Sequence, residues 1–254
     1  MNYYENLLEQ VKKENADACA QIIHLSLQES SASEITKKGG IPILVSLMDP
    51  TTSSTQKDTK RSSLVAITNL AAFHENHELI AGVGAITHLI KILRFEDSDE
   101  VKGQAAVALG NLASNETLSA VIGKAGAVEQ LNLLVNSDSC SEITKVKVAG
   151  TLWNLVNNNL ENKSIAVPGI PGLIWLCCNG PTAGREYASG ALSNMAVVSS
   201  IAKEIVRAGG ITPFVWLLKD SSPLIVQNAC LALRNLAVSK SHKVLNTCNH
   251  LHLW

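Results

Sequence analysis

Residues Gly103–Ser114 read GQAAVALGNLAS, and four other stretches of the chain repeat this pattern around an asparagine. The aligned asparagines are Asn69, Asn111, Asn154, Asn194 and Asn235, spaced by 42, 43, 40 and 41 residues. Leu or Ile stands two positions before each asparagine, and Leu or Met stands one position after it. Self-similarity at this period predicts a helical solenoid, in which neighbouring repeats share one continuous core.

A second column supports the same frame. A glycine followed by an apolar run comes fifteen or sixteen residues after each of the first four asparagines and after His24, which occupies the same column in a degenerate first repeat. These glycines are Gly40, Gly84, Gly126, Gly169 and Gly210. Each repeat therefore reads as a short helix, a glycine break, a second helix, a polar loop and a third helix that carries the asparagine. The pattern resembles the armadillo repeat from about Asp17 to Ser239.

This resemblance implies an all-α, right-handed superhelix with one degenerate repeat and five recognisable ones. Residues 1–16 are predicted to form a capping helix, residues 17–239 the solenoid, and residues 240–254 an incomplete repeat. The open edge at the incomplete repeat predicts self-association. The Ser/Thr-rich insertion at residues 49–60 is interpreted as a solvated loop, with regulatory phosphorylation as the alternative.

Composition narrows the function classes. Apolar residues make up 46% and aromatic residues 4% of the chain, so aliphatic side chains must fill the core. The formal net charge of −1 does not favour a nucleic-acid partner. No apolar run approaches the roughly 20 residues that span a bilayer, so no membrane insertion is expected. Without CxxC spacing, and with Cys177 and Cys230 in core columns, the cysteines predict reduced thiols in the cytoplasm, with the nucleus as a second compartment.

In armadillo proteins the third helices line the concave face, so the resemblance implies a groove lined by the asparagines. An asparagine amide has a donor and an acceptor, and can therefore bind the N–H and C=O of an extended peptide without reading its side chains. The alternative is that each amide bonds a neighbouring repeat and serves only the fold. The groove residues predicted beside the asparagine column are Gln104, Lys147, Trp153, Tyr187, Asn228 and Arg234.

Two related classes give alternatives. Importin-α has a Trp four residues before its asparagine, where this chain has Val65, Val107, Gly150, Gly190 and Leu231. A nuclear import adaptor is therefore one alternative to a protein-interaction scaffold, and the substrate-recognition part of a larger ubiquitin ligase is another. The small Gly150 and Gly190, next to Trp153 and Tyr187, suggest an aromatic-walled pocket. Trp175 and Trp216 are expected in the core.

Charged and metal-binding residues give weaker signals. A basic column nine residues before the asparagines is interpreted as a solvated rim, with contact to an acidic partner as the alternative; it comprises Lys60, Lys102, Lys145 and Arg185. His74 and His77 are expected in a solvated turn, and the tail string Cys248, His250, His252 lacks a second metal-binding pair. No catalytic or phosphate-binding motif is present. The sequence thus predicts a non-enzymatic protein that binds other proteins and needs no cofactor, metal or small-molecule substrate.

Overall fold

The computed structural model describes residues 2–48 and 57–238, and within these ranges it is helical throughout, without a strand. The helices are α1 (Tyr3–Lys12), α2 (Ala16–Leu25), α3 (Glu29–Lys37), α4 (Gly40–Leu47), α5 (Lys57–Leu70), α6 (His77–Gly82), α7 (Ala85–Phe95), α8 (Asp99–Leu112), α9 (Glu116–Lys124), α10 (Ala127–Asn136), α11 (Glu142–Leu155), α12 (Leu160–Ile165), α13 (Ile170–Asn179), α14 (Thr182–Met195), α15 (Ser199–Arg207), α16 (Ile211–Leu217) and α17 (Pro223–Val238). After α2 they follow in threes: a first helix, an apolar second helix and a longer third helix. The all-α prediction is confirmed, whereas the right-handed superhelix and the number of repeats remain predictions.

Left-handed glycines separate the first helices from the second helices. These residues are Gly39, Gly84, Gly126 and Gly209, with φ between 76° and 90°. The predicted column was therefore one residue late at Gly40 and Gly210. Both of these glycines are buried, and a Cβ on them would lie 2.8 Å from the carbonyl oxygen of Ile35 and 2.9 Å from that of Ile205. The first glycine of each pair thus makes the turn, and the second allows close backbone packing.

Gly169 has a different role from the other predicted break glycines. Its φ is −78°, and it ends a short 3-10 turn, Val167–Gly169. The side chain of Asn136 holds this turn in place: its Nδ2 donates to the Pro168 carbonyl at 2.8 Å, and its Oδ1 accepts from the Gly172 N–H at 2.8 Å. A side-chain bridge therefore replaces the left-handed turn here.

The chain divides into two compact units, residues 1–130 (unit 1) and residues 131–254 (unit 2), with the division inside α10. In unit 1, α2 packs on α5 and α5 on α8; in unit 2, α11 packs on α14 and α14 on α17. The apolar positions on either side of the asparagine column are buried in both units, except for Leu233, which is half-buried. These positions therefore form the repeating core that the sequence predicted.

The N-terminal end of the solenoid is described from residue 2, and the assignment of residues 1–16, 17–239 and 240–254 to a capping helix, a solenoid and an incomplete repeat remains a prediction. Leu7, Leu8 and Val11 of α1 are buried, as expected for a capping helix. Residues 57–60, which the sequence assigned to the loop, begin α5 instead. The rest of that loop and the incomplete C-terminal repeat lie outside the described residues. The hypotheses of phosphorylation and self-association concern these residues. Cys248, His250 and His252 also lie outside the described residues.

Among the described residues, no single helix is both long and apolar enough to cross a membrane. α9 and α10 together have sufficient length and apolar composition, but they are bent sharply at their junction.

Candidate partner-binding surface

The asparagine column lies on consecutive third helices in each unit. We call the exposed side of these helices the third-helix surface: it comprises α2, α5 and α8 in unit 1, and α11, α14 and α17 in unit 2. All five asparagines are half-buried. Their side chains are therefore neither sealed in the core nor free in solvent, and their hydrogen bonds decide what a partner can reach.

In unit 1 the amides form a regular ladder. Nδ2 of Asn111 donates to the Thr68 carbonyl at 3.1 Å. Nδ2 of Asn69 lies 3.3 Å from the Ile23 carbonyl and 3.0 Å from the Ser26 hydroxyl. Thr68 stands one residue before Asn69, and Ile23 stands one residue before His24, which occupies the asparagine column of the degenerate repeat. Each amide thus bonds the preceding third helix in the same register.

The ladder of unit 2 has one irregular step. Nδ2 of Asn235 donates to the Ser193 carbonyl at 3.1 Å, one residue before Asn194, which repeats the register of unit 1. Nδ2 of Asn194 instead lies 3.2 Å from Oδ1 of Asn157, at the end of α11. Asn154 also has an interaction partner. The repeat pattern did not indicate that Asn157 takes part, because the other repeats have no asparagine three residues after the column.

These hydrogen bonds limit which amide atoms of the asparagines are available to a partner. At least four of them use an N–H of Nδ2 within the protein: Asn69 has two acceptors for its two N–H groups, whereas Asn111, Asn194 and Asn235 each have one. The predicted pair of bonds to a peptide C=O and N–H therefore lacks its donor at Asn69, and at the other three the fold fixes the orientation of the amide. Oδ1 of Asn69 and of Asn111 has no partner among the described residues, whereas Oδ1 of Asn235 lies 3.3 Å from the guanidinium of Arg234. The ladder therefore presents amides of fixed orientation, with an available acceptor at Asn69 and both an acceptor and one N–H at Asn111.

The other predicted groove residues differ in availability. Gln104 and Lys147 are half-buried, and neither side chain makes a hydrogen bond with the described residues. Asn228 is buried, and its Nδ2 donates to the Glu186 carbonyl at 3.2 Å. Arg234 is exposed at the end of the unit 2 surface. Gln104, Lys147 and Arg234 can therefore meet a partner, whereas Asn228 mainly joins α17 to α14.

Trp153 and Tyr187 fill the space where the sequence suggested a pocket. The indole of Trp153 covers Gly190, where a Cβ would lie 2.7 Å from Cε2 of the indole; the ring of Tyr187 covers Gly150 at 3.1 Å. The two ring centroids are 5.8 Å apart with an interplanar angle of 37°. The pocket prediction was wrong because the aromatic side chains pack onto the glycines, and the result is a half-buried aromatic pair on the third-helix surface.

Two further predictions were wrong in unit 2. The basic column is not a solvated rim there, since Lys145 is buried with its Nζ 4.8 Å from the centroid of Trp175. Nε of Arg185 is bonded to Oδ2 of Asp220 at 2.7 Å. Trp175 and Trp216, expected in the core, are exposed. An indole on a second helix thus binds a cation of the basic column, which neither pattern indicated alone.

The histidine and cysteine predictions are partly corrected. His77 is buried rather than solvated, because its Nε2 bonds the Ala71 carbonyl at 2.8 Å, whereas His74 is exposed. Cys177 is buried as predicted, and burial raises the pKa of its thiol; Cys230 is exposed. No group of His, Cys, Asp or Glu side chains suited to a metal ion occurs in residues 2–48 and 57–238.

The helix order and the asparagine ladder define an α-solenoid built from three-helix repeats. The family model described as the armadillo/beta-catenin-like repeat matches residues 74–114 and 200–238. A solved engineered protein is 26% identical and superposes with a TM-score of 0.84 over 94% of this chain and 98% of its own. A designed armadillo repeat protein in complex with the peptide (KR)4 is 21% identical, with a TM-score of 0.80 over 92% of this chain and 100% of its own, which shows the fold alone.

Two natural relatives are more distant or shorter in overlap. Rap1 GTPase-GDP dissociation stimulator 1-A of Xenopus laevis is 26% identical over 240 residues, which are 89% of this chain and 39% of that protein. Vacuolar protein 8 of Saccharomyces cerevisiae is 33% identical over 98 residues, which are 38% of this chain and 16% of that protein. The chain contains armadillo/beta-catenin-like repeats and has the fold of designed armadillo repeat proteins, a fold typical of protein-interaction scaffolds.

Proposed function

We propose that this chain is a non-catalytic scaffold or adaptor that binds an extended segment of a partner protein along the third-helix surface. The register of the amides is the observation that carries the proposal. In unit 1 the Nδ2 bonds of Asn69 and Asn111 fix each amide, which keeps its carbonyl oxygen available to a partner. Acceptors repeated at one spacing suit the backbone N–H groups of an extended segment.

The expected affinity is modest. A neutral hydrogen bond contributes about 1 kcal/mol net, and a ladder of such bonds must offset the ordering of the segment. Contacts with the Trp153–Tyr187 pair add apolar area in unit 2. A Kd near the micromolar range, about −8 kcal/mol, is therefore the expectation.

Charge favours a neutral or acidic segment. Lys147 and Arg234 are the predicted groove cations, and neither has a carboxylate partner among the described residues. The formal net charge of −1 gives no support for a nucleic-acid partner. We expect the protein to act in the cytoplasm, with the nucleus as the second compartment, and imaging of a fluorescent fusion tests this location.

Proximity labelling in cells tests the proposal. The wild-type chain is compared with a triple variant in which Asn111, Asn154 and Asn194 are replaced by Ala, and with a control that carries Asn6→Ala and Asn158→Ala at exposed positions. The triple variant should lose partners that the control retains, with its helical circular dichroism unchanged. A folded triple variant that labels every wild-type partner contradicts the proposal. Gln104→Ala with Lys147→Ala repeats the test without removing a bond of the fold.

A second candidate function follows from the similarity to Rap1 GTPase-GDP dissociation stimulator 1-A. The chain corresponds to 39% of that protein, so a GTPase as its partner is a proposal and not a finding. Release of a fluorescent GDP analogue from purified Rap1, with and without the chain, tests it. Faster release supports this candidate, and an unchanged rate at saturating chain contradicts it.

The alternatives of nuclear import and ubiquitin ligation have less support. The position four residues before the asparagine holds Val65 and Val107 in unit 1. In unit 2 it holds Leu231 and two glycines that aromatic rings cover. A basic nuclear-signal peptide titrated onto the chain tests the import alternative. Ubiquitylation of a captured partner, with and without the chain, tests the ligase alternative.

A further inference from the structure

A line of exposed apolar side chains crosses the second helices of unit 2. Leu133 of α10 is 66% exposed, Trp175 of α13 is 42% exposed, and Trp216 of α16 is 62% exposed. These residues lie 42 and 41 residues apart, and their helix neighbours Leu131, Leu173 and Phe214 are fully buried. They therefore occupy one repeating position that faces away from the core, and we call them the second-helix stripe.

The fold does not require apolar residues in the stripe. In unit 1 the same position of the second helix holds Ser46 in α4 and Lys91 in α7. Moreover, α13 and α16 contain no charged residue, although each exposes a tryptophan. Large apolar side chains exposed at successive equivalent positions are typical of a protein-binding surface.

A buried cation points into the stripe. Lys145 is only 9% exposed, and its Nζ lies 4.8 Å from the ring centroid of Trp175. None of the described carboxylates forms an ion pair with Lys145. Lys219, one turn after Trp216, is exposed and likewise unpaired, whereas the neighbouring Asp220 is bonded to Arg185. The stripe thus combines apolar side chains with positive charge that no carboxylate of the described residues neutralises.

The spacing of the stripe fits an α-helix. α10 and α13 pack closely, since a Cβ on Gly172 would lie 2.4 Å from the Val135 carbonyl oxygen. A Cβ on Gly210 would lie 3.5 Å from Ile174 of α13, which places α16 against α13. The axes of packed helices lie about 8 to 10 Å apart, and seven residues of a helix advance about 10.5 Å along its axis. One apolar residue in every seven of a crossing helix therefore meets each member of the stripe.

We infer that the second-helix stripe binds an amphipathic helix of a partner protein, with apolar residues at about every seventh position and carboxylates beside them. The carboxylates pair with Lys145 and Lys219, while the apolar residues cover Leu133, Trp175 and Trp216. A lipid surface is a poorer match, because membrane attraction uses clusters of about 4 to 8 cations and the stripe has two. This surface is separate from the third-helix surface, and its test does not depend on the function proposed above.

The probe is a synthetic Ala-rich peptide of about 18 residues with Leu at every seventh position and Glu beside each Leu. Its control has the same composition with the Leu residues moved off that period. Fluorescence anisotropy on the full chain should show saturable binding of the first peptide, weakened by salt, and at least tenfold weaker binding of the control. Equal binding of the two peptides overturns the inference.

Variants locate the binding surface. Leu133→Ser and Trp216→Ala should each weaken binding by about tenfold, because each removes exposed apolar area from the stripe. Lys219→Gln should reduce the salt dependence of peptide binding, because it removes one of the two positive charges of the stripe. Leu160→Ser removes an exposed apolar side chain of unit 2 outside the stripe and should change nothing, as should Asn111→Ala on the third-helix surface. Unchanged binding in both stripe variants contradicts the inference.

Two further measurements separate the other occupants. Sedimentation velocity should give the same oligomeric state for the wild-type chain and for Leu133→Ser/Trp216→Ala. Vesicles with about one-third anionic lipid should not bind more wild-type chain than this double variant. A wild-type dimer that the double variant abolishes assigns the stripe to a second copy of the chain, and vesicle binding lost in the variant assigns it to a membrane. Either result overturns the proposal.

Discussion

Unit 1 and unit 2 repeat the same order of helices but present different surfaces. In unit 1 the amides of Asn69 and Asn111 follow one register, and the second helices hold the polar Ser46 and Lys91 at the stripe position. In unit 2 Asn194 leaves the register for Asn157, aromatic rings cover two glycines, and the stripe position is apolar. The repeating core therefore fixes where side chains lie, while the outward positions of each repeat determine what a surface can bind.

The largest predicted effect tests the close helix packing of unit 2. A Cβ on Gly172 meets backbone at 2.4 Å, whereas a Cβ on Gly82 of unit 1 meets nothing within 4 Å. Gly172→Ala should lower the free energy of unfolding by about 2 to 3 kcal/mol, since the backbone of α10 must shift. Gly82→Ala should raise it by up to about 1 kcal/mol. Urea denaturation of both variants measures these changes. If the free energy of unfolding changes with the same sign in both, the close packing of α13 on α10 is contradicted.

The next prediction concerns the aromatic pair. Gly190→Ala should lower the free energy of unfolding by about 1 to 2 kcal/mol, because the added Cβ would lie 2.7 Å from the Trp153 indole and the ring must move. Val107→Ala at the same repeat position of unit 1 removes only half-buried methyl groups and should cost less. Urea denaturation ranks the two variants, and the Trp153 fluorescence should shift in Gly190→Ala alone. An unmoved indole spectrum shows that the ring does not pack on Gly190.

A pH-dependent effect should distinguish the ion pairs of the two units. The Ser222 N–H and the Arg185 guanidinium hold the pKa of Asp220 below its usual value. A carboxyl with a lowered folded-state pKa stabilises the fold above its unfolded pKa of about 3.9, and this contribution is lost as the pH falls through the folded value.

Asp220→Asn should therefore cost about 1 to 2 kcal/mol at pH 7 and much less near pH 3. Glu100, whose carboxylate pairs with Arg61 at the surface of unit 1, is the matched control. Glu100→Gln should cost less than about 0.5 kcal/mol at either pH. Denaturation at both pH values checks the pair, and a cost of Asp220→Asn that is independent of pH contradicts the stated cause.

The smallest predicted effect compares two rungs of the ladder. Asn111→Ala leaves a backbone carbonyl without its side-chain donor and should cost about 1 kcal/mol. Asn194→Ala removes a bond to the exposed side chain of Asn157 and should cost about 0.5 kcal/mol or less. Hydrogen exchange of α5 should increase in the first variant and that of α11 only slightly in the second. Equal costs contradict the difference in register.

The sequence predicted the repeat frame and the buried columns because the core positions of every repeat must hold apolar residues. Its glycine column was late by one residue at two breaks, where Gly39–Gly40 and Gly209–Gly210 offer two candidates. The residue four positions before each break could have resolved this, since Ile35 and Ile205 stand four residues before Gly39 and Gly209, as Ile80 does before Gly84. Both isoleucines are fully buried.

Outward positions were harder to predict because their environment depends on contacts between repeats. Trp175 and Trp216 are large and apolar, which favours burial, yet their helices already bury Leu173 and Phe214 on the inner side. The hydrogen bonds were equally hard to predict, since Asn69, Asn111, Asn194 and Asn235 bond partners on neighbouring repeats that lie 37 to 46 residues away in the chain. The period showed which positions are equivalent but not which of them the protein uses for itself.

The central claim is that a partner segment lies on the third-helix surface, and site-specific crosslinking tests it most directly. A photo-crosslinking residue is placed at Gln104 on α8 or, as the matched control, at Lys91 on α7; both positions belong to unit 1 and both are half-buried. A partner identified by proximity labelling should crosslink from position 104 and not from position 91, and mass spectrometry should map the link to an extended segment of that partner. Crosslinks from position 91 alone, or equal yields from both positions, contradict the account.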